Sequence, residues 1–486
     1  MWHTFLSLST VKSFLKNTII YGIAAVLPKA INVFLVGFHT KNLASPVEFN
    51  VNTEFFVWAA YFNVLLTFGM ETTFFKYYNS EDQKDKVTST SFTSVALVAF
   101  LGLGPLLIFA PTIGNMLGFT ETLHFRTLVG ILFFDTLVVI PFAYLRINNK
   151  AIQYSFIRII NVLIYAVLNV LLLWYFQEQN YDGVLSWYPT KTNVGYIFAA
   201  NFIASFVTFI IVLPLFTKLK FRLDVTLLKK MLAYGWPILV AGLAYITNEN
   251  LDKLILPRFL NKSIAGAYAG TYKIGVFMAL FITAFKLGAE PFFFNIAKQK
   301  NAKQNYAVIL EWFTILGAFI CLFVVAYLDF FAGFLLKKPE YLETLNIVPI
   351  ILLANLLLGI YNNLSIWYKN TGQTKFAMYF SVLGGVLTIV GLVIFVPVFG
   401  YIAAAWVTFF VYLIMTMSSY YYGNIHYKTP YNITKISSIF VLMSGLVFVC
   451  FYCFRKQYTI NTLILLFAVI LVFLIQRKSI IKLLNR

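Results

Sequence analysis

Apolar runs of about twenty residues recur along nearly the whole of this chain, and each is long enough to cross a hydrocarbon core of ~30 Å as a helix. Short polar or charged stretches separate them, and no loop is long enough for a soluble domain. The reading is an all-α polytopic membrane protein. Composition agrees: of 486 residues 60% are hydrophobic and 11% charged, with a mean hydropathy of +0.81. Residues 1–10 lack the basic region and small-residue cleavage site of a secretory signal, so no cleavage is expected.

The runs predict about fourteen transmembrane helices, starting near Lys16, Thr53, Ser91, His124, Ser155, Val194, Leu232, Gly266, Ala307, Leu345, Phe376, Tyr401, Ile436 and Ile460. Loop charge alternates. Roughly two-thirds of the Lys and Arg fall on one side, in groups such as Lys76, Lys84 and Lys86, or Lys218, Lys220, Arg222, Lys229 and Lys230. The other side holds few, among them Lys41, Arg126, Lys191, Lys337 and Lys338. By the positive-inside rule the rich side, with both termini, is cytoplasmic, as an even number of spans requires. The net charge of +19 is then a rim facing anionic head groups, and no nucleic-acid partner is implied.

Cys321, Cys450 and Cys453 all lie in apolar runs, which gives neither a disulfide framework nor a metal site. No Gly-rich nucleotide loop is present, and no cofactor is expected. His3, His39, His124 and His426 sit at or outside helix ends, which argues against a membrane polymerase, ligase or acyltransferase.

Four lysines stand apart because they fall inside the spans: Lys29, Lys253, Lys273 and Lys286. A cation near the bilayer centre costs roughly 2.5 to 3.5 kcal/mol on insertion scales, and it usually faces a protein interior or a water-filled cavity. A cavity lined with lysine suits an anionic substrate.

An internal repeat points to two halves. Leu15-Lys16 is followed after four residues by Tyr21-Gly22, and Leu228-Lys229 by Tyr234-Gly235; Pro28 and Pro237 follow in turn. Each motif opens a helix on the same side, so the repeat is parallel, with six helices per half. The expected domains are an N-terminal lobe over residues 1–225, a C-terminal lobe over 226–430, and helices thirteen and fourteen over 431–486.

In this order of motifs the chain resembles the Wzx-type oligosaccharide flippases of the multidrug/oligosaccharidyl-lipid/polysaccharide (MOP) exporter superfamily. The residues that carry the resemblance are Lys16 to Gly22, the loop Leu43-Ala44-Ser45-Pro46-Val47-Glu48-Phe49, and Phe68-Gly69-Met70-Glu71-Thr72. Tyr234-Gly235-Trp236-Pro237, Asp252-Lys253, Gly266-Ala267-Tyr268 and Val396 to Ala405 continue it, and Glu290 to Phe294 with Trp367-Tyr368-Lys369 look like a Bacteroidetes subgroup. Asn50 departs from the glycine often found after the aromatic of the first loop, which bears on loop shape.

The resemblance implies two six-helix bundles around a central cavity plus two C-terminal helices. It further implies a non-enzymatic flippase in a bacterial inner membrane that moves undecaprenyl-pyrophosphate-linked oligosaccharide to the outer leaflet. Partners so implied are the lipid-linked oligosaccharide, membrane lipids, and the polysaccharide polymerase and chain-length machinery. A drug or cation antiporter of the same superfamily (MATE type) is the alternative, which carboxylates rather than lysines would favour.

Each buried charge has two readings. Lys29 is either a cavity cation for pyrophosphate or a partner of Asp135, near the centre of the fourth helix. Glu249 and Lys253, four apart, share a face beside Asp252: either an intrahelical salt bridge or a cavity wall with a cation for substrate and a carboxylate for ion coupling. Lys273 is a cavity candidate, whereas Lys286 with Glu290, and Glu71 near a helix end, suit structural pairing as well as function. Single cysteines at Ser45, Lys191 and Lys338 on a Cys-free background should react with impermeant thiol reagents in outer-permeabilised cells, and those at Lys84 and Lys300 should not. The reverse pattern would invert the topology.

Overall fold

The computed structural model describes residues 27–80, 83–148, 150–179, 183, 186–216, 221–297 and 299–484, and no strand occurs among them. The helices are α1 (residues 27–42), α2 (Pro46–Thr67, resuming as Met70–Ser80), α3 (Lys84–Ile108), α4 (Thr122–Ile147) and α5 (Ala151–Val170, continued by a π turn Leu171–Tyr175). Then come α6 (Val194–Phe216), α7 (Val225–Phe259), α8 (Lys262–Tyr272 and Val276–Ile296) and α9 (Ala302–Ala326). The last are α10 (Val348–Leu364, led in by a 3-10 turn Pro339–Ile347), α11 (Lys375–Phe399), α12 (Tyr401–His426), α13 (Ile433–Tyr452) and α14 (Tyr458–Leu484).

Thirteen helices among the described residues are long and apolar enough to cross a membrane, and they coincide with the second to fourteenth expected spans. The opening of the first span, Lys16 to Gly22, lies outside the described residues, and with it the first copy of the repeat motif.

Contacts divide the chain into two compact units, residues 1–254 and 255–486. The division falls inside α7, so most of that helix packs with the first unit. There α4 packs against α3 and α6. The face that α6 buries combines the small residues Ala199, Ala200, Ala204, Ser205 and Thr208 with larger ones such as Ile197, Phe198 and Val212. Small residues let helix backbones approach where the surrounding lipid supplies no hydrophobic drive. Asn161 of α5 then ties into the same seam by donating to the Thr208 hydroxyl at 2.8 Å and the Ala204 carbonyl at 3.1 Å.

Helix α2 runs antiparallel to α7. Their contacts pass in order from Tyr61 with Thr247 through Val64 beside Gly242 and Gly69 beside Ile238 to Lys76, whose ammonium sits 3.6 Å from the centre of the Tyr234 ring. Where the two are closest, α2 breaks: Phe68 and Gly69 take positive φ of 50° and 66°. A Cβ on Gly69 would stand 2.9 Å from the Ile238 side chain, and one on Gly235 2.9 Å from the Phe68 carbonyl.

The second unit is built on α10, which packs against α12 and α9. Glycines again set the spacing: Gly359 of α10 receives Phe313, and Gly317 of α9 receives Leu356. Helices α13 and α14 dock on α9 through polar ties at both ends. At one, Lys435 pairs with Glu311 and bonds Gln476 at 2.8 Å; at the other, Asn461 donates to the Ala326 carbonyl at 3.0 Å and Arg455 pairs with Asp329 at 3.0 Å.

Connections meet as an alternating topology demands. In the first unit, Glu48 before α2's second turn bonds the N–H of Asn193, and Glu121 bonds Lys191 and Thr192, so alternate loops share a face. On the opposite face Glu71 pairs with Arg146, and Lys86 with Asp224 at 2.6 Å. The second unit repeats this with Tyr306 bonded to Asn370 at 3.0 Å, and Lys303 lying 4.2 Å from the Tyr427 ring.

Two sequence readings change here. The segment Ser45-Pro46-Val47-Glu48, expected as loop, starts a helix: Pro46 occupies the first turn, and Glu48 turns back to accept the Ala44 N–H at 3.0 Å. Asn50 is therefore a buried residue of α2 with its side-chain amide nitrogen unpartnered, not a determinant of loop shape. Gly69→Ala should destabilise the protein by about 1 to 3 kcal/mol, since the new methyl meets Ile238 at a positive φ. Gly104→Ala, with nothing within 4 Å, should leave or raise the melting temperature in detergent.

Candidate functional site

In the C-terminal half of α7, Asn248, Glu249, Asn250, Asp252 and Lys253 gather more polarity than a lipid-facing helix tolerates. The structure buries the critical part of it. Asp252 is 4% exposed and Lys253 5%. The Lys253 ammonium lies 2.9 Å from Oδ1 and 3.2 Å from Oδ2 of Asp252, and it donates to the Glu249 carbonyl at 2.8 Å. The i,i+4 spacing offers Lys253 the Glu249 carboxylate as a partner; the lysine stem also folds back onto the adjacent Asp252, and it takes the Glu249 backbone oxygen. The same Asp252 oxygen also accepts the Lys253 N–H at 2.9 Å.

Helix α2 supplies the facing wall. Tyr61 donates to the Thr247 hydroxyl at 3.1 Å and sits in the field of Asp252, while Glu249 acts on Tyr245 one turn earlier. Asn52 is buried on α2 with its side-chain oxygen unpartnered, and Glu54 follows two residues later, half-buried. Sequence reasoning passed over Glu54, although a carboxylate two turns into a span carries the same signal as Lys29.

The arrangement holds a cation and two carboxylates at one level of one helix. The pair is closed as it stands. For the ammonium to reach an anionic ligand, the ligand must take the place of Asp252, and a doubly charged phosphate group is the chemistry that competes with a carboxylate for lysine.

The other expected residues lie elsewhere. Lys29 is exposed on α1, thirteen residues before the helix ends at 42 and so about 20 Å along its axis. Asp135, half-buried in α4, is hydrogen-bonded by Ser205 of α6 and lies in the field of Arg158. Lys273 is half-buried at a 3-10 turn, Lys273–Gly275, that interrupts α8. Such a turn inside a helix is a common mark of a hinge. Glu71 pairs with Arg146.

Lys286 lines a small pocket of the second unit with Lys369, Asn362, Asn363 and Ser365. Its volume of about 20 Å³ admits a single water-sized sphere, so it holds no glycan or pyrophosphate in this conformation. Sequence reasoning had left Lys369 among the loop charges. The side chain of Glu290 lies outside those described.

Comparison with known proteins supplies the family. A family model described as "Polysaccharide biosynthesis protein" matches residues 42–286, half of the chain. The chain belongs to the polysaccharide biosynthesis protein family. No curated protein sequence matches it.

Among solved structures, the lipid II flippase MurJ in an inward closed conformation matches with a TM-score of 0.75 at 15% identity, covering 95% of this chain and 100% of that one. An inward-facing MATE family multidrug resistance transporter of the MOP superfamily matches at 0.64 and 12% identity, covering 85% and 96%. The Vibrio cholerae MATE transporter VcmN in its bent form gives 0.55 at 12%, covering 85% and 98%. At such identities the likeness is one of fold. Family and fold together make this chain a polysaccharide biosynthesis protein with the fold of the MurJ and MATE structures.

The pair in α7 yields a direct test. Removing one partner strands a buried charge, so Asp252→Asn or Lys253→Met alone should cost about 3 to 5 kcal/mol and lower abundance. The double variant should recover abundance. Double-variant protein that remains as depleted as either single would show that the two side chains do not neutralise each other.

Proposed function

We propose that this polysaccharide biosynthesis protein flips undecaprenyl-pyrophosphate-linked oligosaccharide from the cytoplasmic to the outer leaflet of a bacterial inner membrane, both of its termini being cytoplasmic. The observation that carries the reading is the set of lysines kept inside the spans, with Lys253 buried against Asp252, in a member of a polysaccharide family. No covalent chemistry is needed. Lys29, Lys253 and Lys273 serve the pyrophosphate, and Asp135, Glu249 and Asp252 release or retake cations as the site is exposed first to one face and then to the other.

The lobes of this reading are residues 1–225 and 226–430, with 431–486 added, and the polymerase and chain-length machinery act on the product. Lys253 supports it energetically. An ammonium held by Asp252 is tolerated in low dielectric while the site is empty of ligand, and a pyrophosphate replaces one counter-charge with a stronger one. Lys29 lies on α1 far from the described end of its helix, at a depth where a cation needs an anionic group within reach.

Lys29→Ala should abolish glycan export in cells while leaving protein abundance near normal, and Lys29→Arg should keep partial export, because charge survives while geometry changes. Normal export by Lys29→Ala would remove the pyrophosphate assignment.

A further inference from the structure

The first unit has a polar concavity that the transport reading does not use. On the face where Lys86 meets Asp224, a crevice of about 680 Å³ opens between the start of α3 and the segment leading into α7. It is lined by Gln83, Lys84, Asp85, Lys86, Arg222 and Asp224 among others. Its size is that of a small-molecule site.

The charges in it sort by what already holds them. Asp224 accepts Lys86 at 2.6 Å and the Leu227 N–H at 2.7 Å, so it caps α7 and ties it to α3. The Lys86 ammonium, with that N–H, keeps its carboxyl below the usual carboxylate range. These two side chains neutralise each other. Arg222 and Lys84, whose ammonium lies 5.3 Å from the centre of the Tyr78 ring, remain as the crevice's cations, opposed by Asp85.

The chain around Arg222 shows what lies outside. Phe221 is 70% exposed, Leu223 38% and Val225 56%, alternating with Arg222 and Asp224. Phe221 is fixed in that position by Phe92 of α3, with ring centres 5.3 Å apart. Apolar side chains displayed beside a guanidinium suit the boundary between hydrocarbon and head groups, where the one enters the lipid and the other stays with the phosphates. A soluble anion would gain nothing from them.

We propose that this crevice is a binding site for the phosphate of an anionic phospholipid of the charge-rich leaflet, held by Lys84 and Arg222 with its acyl chains against Phe221, Leu223 and Val225. The lipid bridges the start of α3 and the entry to α7 and so reinforces the contact that Lys86 and Asp224 make. Arg222 presents a planar fork that matches phosphate oxygens, and Lys84 adds a point charge. Asp85 opposes the ligand, which gives the site a residue whose removal acts in the opposite sense.

The test uses the full chain in detergent, with native mass spectrometry to count retained lipid and the melting temperature as a second readout. Phosphatidylglycerol should be retained and should raise the melting temperature, whereas phosphatidylcholine should do neither to the same degree. Lys84→Gln/Arg222→Gln should weaken phosphatidylglycerol retention about tenfold, while Lys337→Gln/Lys338→Gln should not change it.

Asp85→Asn should tighten retention. Since the Lys86–Asp224 tie is left intact in each variant, the melting temperature without added lipid reports any loss of fold separately. Retention unchanged in Lys84→Gln/Arg222→Gln would overturn the proposal. So would full competition by millimolar inorganic phosphate, which would assign the crevice to a soluble anion, or weaker retention in Asp85→Asn.

Discussion

An ammonium in hydrocarbon must have a counter-charge, a water-filled space or a polar wall within reach, and in this protein that requirement organises the C-terminal half of α7. Lys253 and Asp252 are both buried there, 2.9 Å apart, with the Glu249 carbonyl as a third ligand and Tyr61 of α2 facing them across the seam. Replacing a buried pair with apolar side chains is often neutral or stabilising, so stability alone gives little reason to keep one. A pair that opens toward a phosphate has such a reason.

Elsewhere polar groups are met unevenly: charges pair across helices, while Asn50 and Asn52 are buried with an unpartnered side-chain atom. Helix seams are closed by small residues, Ala199, Ala200 and Ala204 in one unit and Gly317 and Gly359 in the other. Side-chain ties are placed largely at helix ends, Glu71 with Arg146 and Lys86 with Asp224 on one face of the first unit, Lys435 with Glu311 at the start of α13 and Arg455 with Asp329 just past its end. The breaks occur where function is proposed or helices touch: Phe68 and Gly69 in α2 against Ile238, and Lys273 in α8.

The spans were legible because length and continuous hydropathy are properties of the chain itself, and thirteen of them reappear as helices. Local end chemistry was legible but overlooked: Ser45-Pro46-Val47-Glu48 has the spacing of a capped helix start, and treating it as loop misplaced Asn50. The close contact of Lys253 with Asp252 was only half legible: the two stand side by side in the sequence, but the i,i+4 rule describes side chains extended along a helix surface and does not anticipate a lysine stem folded back onto its neighbour. Nor could spacing show that Lys369 and Lys286 share a pocket, since some eighty residues separate them and packing alone brings them together.

The central claim is that the cations inside the spans serve an anionic lipid-linked glycan. It is tested most directly by reconstituting the purified protein in liposomes that carry a fluorescent undecaprenyl-pyrophosphate glycan and, in parallel, the same glycolipid without its phosphates. Transfer between leaflets is read by accessibility to an external glycosidase. The account predicts protein-dependent movement of the pyrophosphate-linked lipid and little movement of the neutral one. Equal movement of both, or none of the charged lipid, would contradict it.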